Sequence, residues 1–76
     1  MREGFWMCQM DFRLLDVVRL EVNVPDAGLV KGAMGTIVHE FFVPDIAYEV
    51  EFADSQGSTT AQLTLLPSQL SLLARI

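Results

Sequence analysis

The chain has 76 residues, of which 51% are hydrophobic and 20% charged, so it holds one domain with a rich core and is too apolar to be disordered. Its formal charge of −5 repels phosphate backbones, and Arg13, Arg19, Lys31 and Arg75 are scattered rather than clustered, which argues against nucleic acid as a partner. A lone cysteine, Cys8, forms no internal disulfide, and no run approaches the roughly 20 apolar residues of a membrane span. The N-terminal residues lack the apolar stretch of a signal peptide, so the cytoplasm is the expected location and no membrane partner is expected.

Residues 1–9 stand apart from the rest. They carry Phe5, Trp6, Met7 and Cys8 without periodicity, and two readings stay open. They are an N-terminal extension that packs or binds a partner, or they follow an upstream start codon ahead of a true initiator at Met10. The domain itself is placed at residues 10–76. Val18, Leu20 and Val22 alternate with Arg19, Glu21 and Asn23, the period-two pattern of a half-buried first strand. Pro25, Asp26, Ala27 and Gly28 carry turn chemistry, within a long loop closed by Gly32 and Gly35. A second strand follows from Thr36 to Glu40, with Gly35 marking a bulge or a close approach of backbones. Phe41 to Asp45 is read as a connector. Tyr48, Val50 and Phe52 then alternate with Glu49 and Glu51 in the clearest amphipathic strand of the chain. Asp54 to Gly57 is a hairpin turn, and residues 59–65 form a fourth strand with Ala61, Leu63 and Leu65 on one face. Pro67 starts a single turn that plugs Leu70 inward, and residues 72–76 give a short closing strand.

No stretch of ten or more residues carries a helical stripe. Five short strands, a long first loop and a one-turn 3-10 helix before the last strand predict an all-β fold. The expected architecture is a small five-stranded SH3-like barrel, whose full or near closure removes exposed sheet edges, with a small β-sandwich as the alternative.

Five segments in order carry a resemblance. Leu14-Leu15-Asp16-Val17-Val18, Gly35-Thr36-Ile37-Val38, Ala47-Tyr48-Glu49-Val50-Glu51-Phe52, Leu63-Thr64-Leu65 and Gln69-Leu70 resemble a small bacterial family, the domain of unknown function numbered 4926. The likeness covers Met10 to about Leu73 and implies an SH3-like fold with no established activity. This chain departs from it in residues 1–9 and in the apolar connector Phe41-Phe42-Val43-Pro44. More distantly, Lys31 to Val38 with Pro44-Asp45 and Tyr48 to Phe52 is similar to the barrel of the nitrile hydratase beta subunit. The strand order resembles that of the small SH3-like subunit of photosystem I. Both of those proteins are non-catalytic companions that dock on larger partners. The Gly35-Thr36-Ile37 corner resembles the KOW motif of ribosomal and transcription proteins; fold likeness does not carry function with it.

No catalytic, metal or cofactor constellation stands out, and the chain is read as a non-enzyme without a cofactor. His39, the single histidine, has no matched cysteine, serine or second histidine and is read as a partly exposed strand residue. Glu40, Asp45, Glu49, Glu51 and Asp54 form an acidic run with no Lys or Arg between them. Phe41, Phe42 and Val43 are consecutive and cannot all point inward, and aromatics ringed by charge are how protein–protein anchors look. Glu40, Phe41, Phe42, Asp45, Glu49 and Glu51 are therefore the predicted partner-binding residues, facing a basic protein surface. The alternative is a KOW-like nucleic-acid-binding barrel acting through Arg13, Arg19 and Lys31. The surplus of aromatic residues also leaves room for a two-fold homodimer.

Overall fold

The computed structural model describes residues 12–54 and 56–75. The extension read at residues 1–9 lies outside them. Five strands, β1 (Val17–Leu20), β2 (Met34–Phe41), β3 (Ala47–Ala53), β4 (Thr59–Leu65) and β5 (Leu70–Ala74), make the fold all-β. They form one antiparallel sheet in the order β4-β3-β2-β1-β5. Two 3-10 turns, Pro25–Ala27 and Pro67–Gln69, punctuate the first loop and the approach to β5. None of the described helical segments is long and apolar enough to cross a membrane.

The core follows from period-two alternation. Tyr48, Val50 and Phe52 of β3 are buried, and across the ladders they meet Ile37 of β2 and Leu65 of β4. Val18 and Leu20 of β1 and Leu70 of β5 complete the same face. Phe12 caps it from outside the strands: its ring meets Tyr48 edge-on at 5.3 Å, and its N–H donates to Tyr48 Oη at 3.1 Å. Gly57, at φ +86°, supplies the left-handed position of the β3–β4 turn, as the turn chemistry of Asp54 to Gly57 predicts.

Several boundaries move. β1 stops at Leu20, because the loop after it folds on itself: Val24 and Leu29 exchange backbone hydrogen bonds of 2.9 and 3.1 Å. β2 is longer than predicted and takes in Phe41, which leaves residues 42–46 as the connector. β5 begins at Leu70 rather than Leu72, because the Pro67 turn is already closed at Gln69, whose N–H bonds Leu66 O and whose side chain accepts from Leu66 N. β4 and β5 are the two edges of the sheet, and no ladder that would close it into a barrel joins them among the described residues. Along these edges the core-facing Leu63 stays half-buried and Leu72 exposed.

A buried carboxylate ties the ends of the domain together. Asp16, only 1% exposed, sits in the turn before β1. Its Oδ2 accepts the Arg13 N–H at 2.8 Å, and Arg75 donates from Nε to Oδ1 at 3.1 Å and from Nη2 to Oδ2 at 3.0 Å. The hydrogen bonds from Arg75 hold the Asp16 carboxyl below its usual range against the opposing effect of desolvation, with the Arg13 N–H adding to them. In the same turn Leu15 adopts φ +71°, which costs an L-residue about 1 kcal/mol. The turn is pinned by the Leu15 N–H to Ile37 O bond (2.8 Å) and the Ile37 N–H to Asp16 O bond (3.0 Å).

Candidate functional site

The predicted docking residues lie on the β2–β3 hairpin and the connector at its tip. β3 sets the geometry. Its core-facing residues are Tyr48, Val50 and Phe52, so Ala47, Glu49, Glu51 and Ala53 share the outer face. On β4 the outer positions opposite them are Thr64, paired with Glu49, and Gln62, paired with Glu51.

β2 changes phase partway along. The ladder pairs Thr36 with Glu51 and Ile37 with Val50, then skips Val38 and pairs His39 with Glu49. One extra residue in a strand reverses the facing of all that follow. His39 and Phe41 therefore come to the outer face beside Glu49 and Ala47, with their rings 4.6 Å apart at 62°. Glu40 pairs with Tyr48 and belongs to the core-side face. The predicted acidic cluster is thus divided, and Glu40 is separated from Glu49 by the bulge.

Where Phe41, Ala47 and Thr64 meet the connector, the outer face holds an open groove of ≈ 360 Å³, lined by those three with Val43, Pro44 and Asp45. That size is near the lower limit of small-molecule pockets, and its walls are mostly apolar with one carboxylate. Phe41 is 37% exposed, Phe42 64% and Val43 85%, so all three consecutive apolar residues reach solvent. The expectation that at least one of them lies at the surface holds for the whole run. Ile46, on the same connector, is exposed as well.

The carboxylates differ in how committed they are. Glu49 is engaged within the sheet: Thr64 Oγ1 donates to its Oε1 at 2.6 Å and Gln62 Nε2 to its Oε2 at 3.0 Å. Asp45 is exposed at the groove, and its side chain makes no hydrogen bond or ion pair among the described residues. Glu51 lies two residues further along the outer face and lines a separate, smaller depression of ≈ 120 Å³ with Val17, Met34, Gly35, Thr36 and Ala53. No group of three or more potential metal ligands occurs among the described residues.

Charge is segregated across the sheet. No lysine or arginine lies between Lys31 and Arg75, so the charged residues of β2 and β3 are acids and β4 carries no charge. The described basic residues lie outside β2–β4: Arg13 in the turn before β1, Arg19 on β1 with its Nε 3.7 Å from Glu21, Lys31 in the long loop, and Arg75 on Asp16. Sequence reading missed Val43, Pro44, Ala47 and Thr64 as groove walls. The first two were in view as connector residues, but placing Ala47 and Thr64 beside Phe41 requires the register.

These features define a class: a small antiparallel all-β module with an acidic outer face and an apolar groove at one hairpin tip. The chain belongs to the family described as Domain of unknown function (DUF4926), whose model matches residues 14–72. Comparison with curated proteins and with solved structures yields no match.

Proposed function

We propose that this protein is a non-enzymatic accessory module of the bacterial cytoplasm that docks on a basic surface of a protein partner. The docking face is the outer side of the β2–β3 hairpin, with Phe41 and Phe42 as apolar anchors and Asp45, Glu49 and Glu51 as the acidic surround. The single observation that carries this reading is the groove: an exposed apolar depression with the unengaged Asp45 carboxylate on its wall. A hydrophobic centre with a charged rim is the anatomy of a protein interface, and the rim charge sets partner choice and association rate. Of the predicted set, Glu40 contributes least, because its facing is that of the core side.

The test is affinity capture from a native cell extract, comparing the wild-type chain with Asp45→Lys and with Phe42→Ser. Both positions are exposed, so the fold is expected to survive. Recovery of the partner should drop about tenfold or more for either variant, as for an interface anchor, and should weaken as salt is raised. Unchanged recovery with both variants would sink the reading.

A further inference from the structure

The groove does not stop at the hairpin. Its wall includes Thr64, which belongs to β4, and β4 is an edge of the sheet. Among the described residues that edge is unguarded. Natural edge strands are protected by charges, prolines, shortness or a covering segment. β4 is seven residues long, reads Thr-Thr-Ala-Gln-Leu-Thr-Leu, and contains no charged residue and no proline. Its second edge has no strand partner among the described residues. The bulge in its ladder falls at Phe52/Ala53, near the β3–β4 turn, so pairing with β3 is regular from Ala61 to Leu65, the stretch that approaches the groove.

We infer that the partner enters as an extended strand along β4, with an arginine or lysine side chain reaching across Thr64 into the groove. This rests on the docking reading above and specifies its occupant. Main-chain pairing with an open edge supplies affinity without regard to sequence, and a pocket beside the edge supplies selectivity. The chemistry of the groove selects the side chain. Phe41, Val43, Pro44 and Ala47 offer apolar surface to the methylenes of a long side chain, and Asp45 offers a carboxylate to its head. Glu49, two residues along β3 from Ala47 on the same face, adds negative potential. The absence of any lysine or arginine between Lys31 and Arg75 leaves that potential unopposed along these strands. A second copy of this chain fits less well, because pairing β4 with its twin would bring two acidic outer faces side by side.

The experiment titrates the full, isotope-labelled chain with a capped five-residue peptide, Thr-Val-Arg-Val-Thr, and follows backbone amide shifts. Two control peptides differ in one respect each: citrulline replaces arginine, or the backbone nitrogens are methylated so that they cannot donate. Shifts are expected along β4 and at Phe41 and Ala47, with affinity at least about tenfold weaker for both controls, since each removes a charge-assisted or main-chain contact. Groove shifts that persist undiminished with the methylated peptide, with β4 silent, would overturn the strand inference while leaving the docking reading intact. Silence at both groove and edge with every peptide would count against both. Concentration-dependent changes confined to β4 without any peptide would assign the edge to a second copy and likewise overturn the inference.

Discussion

A methyl group added at Gly35 would lie 2.6 Å from Val50 Cγ1, 2.9 Å from Phe52 Cδ1 and 3.0 Å from the Glu51 carbonyl oxygen. All three distances are too short for carbon contacts, and the two side chains are buried in the core, so yielding means displacing their neighbours. Gly35→Ala is therefore expected to lower the unfolding free energy by about 2–3 kcal/mol, the cost of overpacking a filled core. Urea unfolding followed by circular dichroism measures it, and a midpoint equal to wild type would remove the packing argument. At this scale the sequence was readable. A glycine directly ahead of an alternating strand signals a close approach, and the approach is there. Residue chemistry alone was silent on Asp16, whose burial depends on a partner 59 positions away at Arg75. No local pattern marks one acid among ten as the one that goes inside.

At the scale of elements, strands were legible and phase was not. β3 and β4 emerged from strict alternation, and their buried residues are those that the alternation selects. β2 escaped that logic because Val38 is a bulge, which no feature of Thr36-Ile37-Val38-His39-Glu40 announces. The consequence is large for the site: the bulge brings Phe41 to the acidic face and takes Glu40 away from it. Whether two edges meet is equally beyond the pattern, since edge pairing depends on curvature rather than on any strand's own residues. A joint between elements can be tested through Tyr48. Its hydroxyl accepts the buried Phe12 N–H and so links β3 to the segment ahead of β1. Tyr48→Phe keeps the ring and its edge-on contact but leaves that N–H without an acceptor, which should cost about 1–2 kcal/mol. Faster hydrogen exchange at the Phe12 amide, with little change in the β3–β4 ladder, is the expected signature. Uniform acceleration throughout the sheet would show instead that the bond does not act locally.

For the molecule as a whole, the stability of the sheet depends on what holds its outer strand β5 and the segment ahead of β1 in place. Asp16 does this from one position: its backbone bonds β2 through Ile37, and its carboxylate clasps Arg75 just beyond β5. The clasp makes folding sensitive to acid in a defined direction. Because Arg75 holds the folded Asp16 carboxyl below the ordinary value of about 3.9, the unfolded chain takes up this proton first as pH falls. Between the two values the unfolded state binds more protons, so stability rises with pH there. The contribution is fully present above about pH 5 and is lost as pH drops through the folded-state value. Asp16→Asn keeps the shape and an acceptor but never carries the charge. Its urea midpoint should lie below wild type at about pH 7, and the gap should narrow steadily towards about pH 3 as the wild-type carboxylate is protonated. Arg75→Gln should show the same convergence, since it removes the partner that lowers the Asp16 carboxyl. A gap that stays constant across this range would mean that the pair contributes shape but no charge-linked stability, and the clasp would then be a matter of packing alone.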